Sequence, residues 1–508
     1  MMSCLRALAV MTPLVAVSLA PPSAAQAAGE TKITPTPPAI DDGSVVLLVM
    51  VDRFADGADN AADVVKGHPR RFQGGDLQGL RARLPYLSSL GVSHLWLTPL
   101  HRQAPGLVGD GDNATAAYHG YWPEDFTAVD HHFGTAEDVS AFVDDAAKSG
   151  IGVIVDVVVN HTGYGAKDPR GLLRHPCGEG EVQGCLFGLP DLRTEDPRVR
   201  AAVVDDVRWW MRLAPFVGVR LDAFKHIDQP TAIAIRSGVH AERPGTMVIA
   251  ERWGAGAGDA GVTADVAAGA ADAAFDFGFM GIAQGFVSGR LRAQAAAHHL
   301  TARATALSTG PTSPPALHFL DNHDTETWAH AVGRRAPLGA PLLLLSPGIP
   351  VMTWGTELGR AGGAGDPENR SFMPWDVADD ADVGPGPARD TLAFWRALVT
   401  LRRESAAVQS GTFKVVATSM APATRPGFLV FERQNSNERV VVAIALGAPL
   451  RHCEPRHGRV ALTLGWPSRP SVDEQQMTRC VDVEADSAAV FVARREAAPS
   501  TKAPADAH

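Results

Sequence analysis

Residues 151–161, Ile-Gly-Val-Ile-Val-Asp-Val-Val-Val-Asn-His, run nearly unbroken in apolar and β-branched side chains before closing on Asn160 and His161. A strand with one wet face alternates apolar and polar residues, so a continuous run of this kind requires a sheet buried on both faces. Seven more runs of strand length share that character: Val45 to Asp52, Val92 to Pro99, Val217 to Asp222, Met247 to Glu251, Asp272 to Phe277, Ala316 to Asn322 and Ile349 to Trp354. Helical segments separate them. Thr135 with Asp138 makes a capping box before Val139, Phe142, Val143 and Ala146, and Gly150 ends that helix. Asp196 caps the next, Pro197 suits its first turn, and Val199, Val203, Val207 and Trp210 fall on one face. Eight strands alternating with helices are parallel and close economically into an α/β (β/α)8 TIM barrel; a doubly wound open sheet is the alternative.

In such a barrel the residues that do chemistry project from the carboxyl ends of the strands. Here those ends carry Asn160 and His161, then Arg220 and Asp222 followed by Lys225 and His226, then Glu251, then Asn322, His323 and Asp324. One acid at a strand end is ordinarily a helix cap. Three carboxylates on separate strands, accompanied by an arginine and two histidines, are poorly explained by capping.

The chain has 508 residues, 45% of them apolar and 20% charged, enough for a large barrel plus a smaller module. A net charge of −10 and the lack of any basic run argue against nucleic acid or an anionic membrane as partner. Residues 1–27 read as a signal peptide, with Arg6, an apolar run from Ala7 to Ala20, and Ala25-Gln26-Ala27 for cleavage. That run is shorter than the roughly 20 residues a transmembrane anchor needs. A secreted or periplasmic protein follows. Residues 28–43 form a Pro-rich linker, the barrel occupies 44–400, and the long segment 161–196 after the third strand is an inserted subdomain. Beyond it, Gly427 to Arg433 and Arg439 to Leu446 flank a hairpin signal, and Arg459 to Leu464 and Ala488 to Val492 add strands to a C-terminal β-sandwich over 405–495. Residues 496–508 read as a disordered tail. With Cys4 removed, Cys177 stands near Cys185 and Cys453 near Cys480; an oxidising compartment permits two local disulfides, and buried thiols are the other reading.

The strand-end segments resemble the α-amylase family of glycoside hydrolases: DVVVNH (156–161), GVRLDAFKH (218–226), IAERW (249–253) and FLDNHD (319–324), in that family's order. GGDLQGL (74–80), YHGYWPEDF (118–126), LPDL (189–192) and GIPVMTWGTE (348–357) support the match over roughly residues 44–376. The resemblance implies retaining cleavage of α-1,4-glucosidic bonds in starch-type glucans or maltooligosaccharides by double displacement, with Asp222 as nucleophile, Glu251 as general acid/base and Asp324 as third carboxylate. Arg220, two residues before Asp222 and on the same side of the strand, favours its ionised form, whereas Glu251 must start protonated. His161 and His323 are implied to bind sugar hydroxyls, Tyr121 to stack on the sugar ring, and His119 and Lys225 to make further contacts. Asp366 and Arg370 resemble a pair that binds sugar on the non-reducing side, or else form a surface ion pair.

Calcium is the implied cofactor. Asn160, Asp191 and the carbonyl of His226 match the family's structural site between barrel and insertion. A second cluster, Asp56, Asp59, Asn60, Asp63, Gly74 and Asp76, resembles an amino-terminal calcium site of some relatives; an acidic solvated loop fits it equally, because Ala58, Ala61 and Ala62 stand where oxygen ligands occur. No zinc or haem spacing is present. A monomer acting on a neutral glucan is expected, with short substrates favoured by a chain holding only 4 Tyr and 6% aromatics. Transglycosylation uses the same carboxylates. A non-catalytic glycan-binding barrel and a metal-dependent hydrolase are the readings from other classes.

Overall fold

The computed structural model describes residues 36–495 apart from 59–60, 309–313, 384–385, 420–426, 457 and 476–477. The expected signal peptide (1–27), the first part of the linker, the tail (496–508), and Asp59 and Asn60 lie outside the described residues. Eight strands are β1 Val46–Val49, β2 His94–Leu97, β3 Gly152–Val157, β4 Gly218–Leu221, β5 Met247–Ala250, β6 Ala273–Asp276, β7 Ala316–Phe319 and β8 Ile349–Thr353. They pair in sequence order, all parallel, and β8 returns to β1 to close the barrel. The open-sheet alternative is excluded. Each strand is shorter than its apolar run because the flanking apolar residues pack in the strand-to-helix turns.

Local signals for the helices hold. Thr135 and Asp138 form the capping box of the helix Ala136–Lys148, which ends at Ser149 with Gly150 at a positive φ of 72° just beyond. Asp196 caps Pro197–Leu213, whose Val199, Val203, Val207 and Trp210 are buried as the spacing predicts. One pair went unread: His101–Gln103 and Pro123–Val129 form a short antiparallel ribbon over the β2 end of the barrel. Its second strand mixes buried and half-buried positions without strict alternation, so no periodic signal marks it.

The C-terminal strands are β9 Thr412–Thr418, β10 Phe428–Gln434, β11 Glu438–Ala445, β12 Leu450–Pro455, β13 Arg459–Trp466, β14 Ser471–Glu474, β15 Thr478–Val483 and β16 Ser487–Arg494. They make a five-stranded antiparallel sheet in the order β9-β10-β11-β16-β13 and a three-stranded sheet β12-β15-β14. Alternation divides the larger sheet's side chains. Leu429, Phe431, Val440, Val442, Ile444, Val490 and Val492 join the apolar core of the barrel, whereas Val430, Val441, Ala443 and Phe491 meet Leu450, Val481 and Val483 of the smaller sheet. The barrel and the larger sheet thus share one core. Both cysteine pairs are disulfides, Cys177–Cys185 inside the insertion and Cys453–Cys480 between β12 and β15. Among the described residues no helix is long and apolar enough to cross a membrane.

Candidate active site

Strand register decides which side chains meet. β3 and β4 pair with Asp156 opposite Arg220, and β4 and β5 pair with Leu221 opposite Ala250, so the next residues, Asp222 and Glu251, leave the sheet side by side. Arg220, with no solvent exposure, donates from Nη1 to Asp156 Oδ1 at 2.8 Å and to Asp222 Oδ1 at 2.8 Å, and its Nη2 lies 2.6 Å from Glu251 Oε1. One guanidinium therefore serves three carboxylates. Ala223 follows Asp222 at φ 49°, a left-handed conformation costly for a residue with a Cβ. That bend aims its backbone N–H at Glu251 Oε2, 2.9 Å away, and ties the two catalytic candidates together.

Asp324 enters from the loop after β7. Its N–H donates to Asn322 Oδ1, and Arg370 Nη2 donates to its Oδ1, each at 2.9 and 2.8 Å respectively. His323 Nε2 lies 3.1 Å from its Oδ2. Together with Asp222, Glu251, His119, Tyr121, His161, Lys225, His226, Asp366 and Arg370, it lines one cleft of about 670 Å³ at the carboxyl end of the barrel.

The three acids sit in different electrostatic settings. Burial pushes Glu251 up to about 8; Arg220 opposes this, and the negative charges of Asp222 and Asp324 add to it. Asp324 is pushed up by its surroundings too, but the His323 and Arg370 side chains outweigh this and hold it below the ordinary carboxylate value. Near neutral pH the cleft thus holds a protonated Glu251 beside an ionised Asp324. Desolvation lowers His119, His161 and His323, the last to about 3, so all three rings are neutral.

Several expected roles meet a different geometry. His161 Nε2 is 3.1 Å from the Tyr121 carbonyl and its Nδ1 faces Asn160, so its ring nitrogens are engaged within the protein and its ring forms cleft wall. His119 Nδ1 accepts from the Tyr121 N–H at 3.0 Å, which leaves the proton on Nε2. Tyr121 donates its hydroxyl to Asp156 and lies parallel to the His323 ring at 5.1 Å, so a sugar finds only part of the tyrosine ring open. Arg370 is mostly buried: its Nε donates to the His323 carbonyl at 2.8 Å and its Nη2 to Asp324, while its Nη1 makes a longer ion pair, 3.5 Å, with Asp366, which also accepts from the Tyr118 hydroxyl. Lys225, half-buried, makes no hydrogen bond or ion pair among the described residues.

Asp156, in the DVVVNH segment, is a further site residue. Fully buried, it accepts from Arg220, the Tyr121 hydroxyl and the Trp96 indole N–H, and so positions the arginine and the tyrosine. An acid inside an otherwise apolar strand was the available signal. Exposed Phe187 and Trp253, 86% and 48% open, also reach the cleft; Trp253 closes the IAERW segment, whereas Phe187 carries no local sequence mark.

The residues expected for calcium divide. Asn160 and Asp191 are brought together by the Leu192 N–H to Asn160 carbonyl bond, and both are fully buried with Asn160 Oδ1 and Asp191 Oδ1 lacking any hydrogen-bond donor. Two orphaned oxygens of hard-ligand type in one buried place fit a calcium ion. Arg174 takes the other Asp191 oxygen at 2.9 Å, and His226, in the turn after β4, pairs its Nδ1 with the Glu181 carbonyl of the insertion at 2.7 Å. The described members of the second cluster have protein partners. Asp76 caps the helix Leu77–Ala82 and takes the Gly57 and Ala58 N–H groups, Asp56 pairs with the Lys66 ammonium at 2.5 Å, and Asp63 turns to His132. Gly74, beside Asp56, takes a turn at φ 98°.

A family description, alpha amylase catalytic domain, matches residues 48–170. The α-amylase of Streptomyces lividans is 28% identical over 480 residues, covering 74% of this chain and 51% of its own. The cyclomaltodextrin glucanotransferase of Klebsiella oxytoca is 25% identical, covering 79% of this chain and 70% of its own. Among solved structures, the Anoxybacillus α-amylase superposes with a TM-score of 0.75 at 26% identity, over 90% of this chain and 99% of that one. The Geobacillus thermoleovorans α-amylase, solved with acarbose, does so at 0.73 and 26% identity, with the same coverage of both chains. The chain thus spans about half the length of the Streptomyces relative and nearly all of the two solved amylases. A closed parallel barrel, four matching strand-end motifs in one cleft and this set of relatives agree on one conclusion: in fold and site the chain is similar to the α-amylase family of glycoside hydrolases.

Proposed function

We propose that the protein hydrolyses α-1,4-glucosidic bonds in starch-type glucans or maltooligosaccharides with retention of configuration. The observation that carries this is the Arg220 guanidinium bound to both Asp222 and Glu251 while Glu251 is pushed up to about 8. Asp222, its charge balanced by Arg220, attacks the anomeric carbon; Glu251 gives its proton to the departing oxygen, then takes one from the incoming water. Two carboxylates sharing one guanidinium favour the separation of about 5–5.5 Å used in double displacement over the roughly 6.5–9.5 Å of inversion. Asp324, kept ionised by Arg370, faces the positive charge that develops on the sugar. His119 donates from Nε2 to a sugar hydroxyl, and Lys225, Asp366 and the ring of Tyr121 complete the sugar's surroundings, with buried His323 supporting Asp324 from behind.

Asn160, Asp191 and the His226 carbonyl hold a structural calcium ion, which pins the insertion 161–196 to the barrel. In this reading residues 44–400 form the catalytic unit and 405–495 a β domain fused to it, and the enzyme acts as a monomer after export, the export being supported by the two disulfides. Transglycosylation is the second reading, favoured by Phe187 and Trp253, apolar surfaces on the cleft that suit an acceptor sugar better than water. Product analysis from maltoheptaose and soluble starch decides between them. Linear products released as α-anomers support hydrolysis with retention; β-anomers refute double displacement, and cyclic or elongated products assign a transferase.

A further inference from the structure

The loop that was expected to bind calcium is tied down by other chemistry. Asp63, from that loop, reaches His132 at the end of the ribbon strand Pro123–Val129, with Oδ1 3.0 Å from His132 Nε2. Neighbouring His131 completes a trio whose ligand atoms all lie within 4.8 Å of one another. His132 is held on both sides. Its ring stacks on Phe72 at 3.5 Å and 3°, and its Nδ1 pairs with Asp130 Oδ1 at 2.6 Å. Asp130, buried, also accepts the His132 and Gln103 N–H groups, so it is fixed itself.

We propose that Asp63, His131 and His132 form a binding site for a divalent transition-metal ion of the Zn²⁺ class. Imidazole nitrogens suit zinc and its neighbours and are poor calcium ligands, which separates this site by ion type from the Asn160–Asp191 site. A carboxylate holding the far ring nitrogen, as Asp130 holds Nδ1, is the usual support of a histidine ligand, and the ion takes the place of the proton that Nε2 shares with Asp63, which is released to solvent. Zinc bonds of about 2.0–2.1 Å at tetrahedral angles separate neighbouring ligand atoms by about 3.3 Å. The Nε2 to Oδ1 spacing is already near that, and exposed His131 closes the third position by a side-chain rotation. Asp63 and His131 each leave 69% of their side chain open, which gives the ion a path in and a fourth position for water. The bound ion cross-links positions 63 and 131–132 and so stabilises the fold.

The test uses untagged full-length protein in millimolar calcium, which keeps the hard-ligand site saturated. Wild type is expected to take up one equivalent of Zn²⁺ with a rise in melting temperature, and Co²⁺ to show the visible absorption of a four-coordinate site. His131→Ala and Asp63→Ala, both at exposed positions, are expected to weaken Zn²⁺ at least about tenfold and to lose the thermal shift. No uptake by wild type, or equal uptake and equal shift in both variants, overturns the assignment.

Discussion

Replacing Glu251 by Gln tests whether this carboxyl is held protonated for its role as acid. The folded protein raises Glu251 to about 8 from an ordinary 4.5, so the folded state binds a proton that the unfolded chain has released through the interval between them. The contribution of Glu251 to stability is therefore fully present below about pH 4.5 and is lost as pH rises through about 8. At about 1.36 kcal/mol per pH unit, that interval sets a ceiling of about 5 kcal/mol on the loss. Arg220 and water entering the cleft relieve part of it once the carboxylate forms. Glu251→Gln keeps the shape, accepts the Ala223 N–H and cannot ionise. Urea denaturation of both proteins at pH 5, 7 and 9, in saturating calcium, is the assay. The variant is expected to match wild type within about 1 kcal/mol at pH 5 and to exceed it by a few kcal/mol at pH 9, while losing hydrolysis of ordinary glucans. A stability difference that stays constant with pH would refute the raised proton affinity and with it the acid role.

Asp222→Asn is expected to lower kcat roughly 10³-fold or more with an unchanged circular dichroism spectrum, since it removes the attacking oxygen but leaves Arg220 paired to Asp156. Arg220→Ala strands the buried Asp156, Asp222 and Glu251 carboxylates, and a loss of about 3–5 kcal/mol should appear as a large fall in melting temperature. Chelating calcium lowers the melting temperature of wild type, and Asn160→Ala abolishes that calcium dependence if the orphaned oxygens Asn160 Oδ1 and Asp191 Oδ1 are its ligands. Replacing Cys177 and Cys185 by Ser frees the loop that carries Phe187 to the cleft; the expected outcome is a raised KM with kcat little changed, and a stability cost of about 3 kcal/mol or less.

The sequence by itself determined eight buried strands alternating with helices, the caps of those helices and the acids at the strand ends; closure into a barrel rather than an open sheet, and the bonding of both cysteine pairs, came from the tertiary structure. The former features are local: the period of a strand, a capping box or a polar strand end is written within a few residues. Which partner each polar group takes is a competition among groups far apart in the chain, and tertiary structure alone decided it. Register across β3, β4 and β5 gave one guanidinium to Asp156, Asp222 and Glu251. The same competition turned Arg370 onto Asp324, set His161 against the Tyr121 carbonyl, gave Asp56 to Lys66, and brought Asp63 across the fold to His132. Proton affinity belongs with these, because the burial that raises Glu251 exists only once the barrel has closed around it.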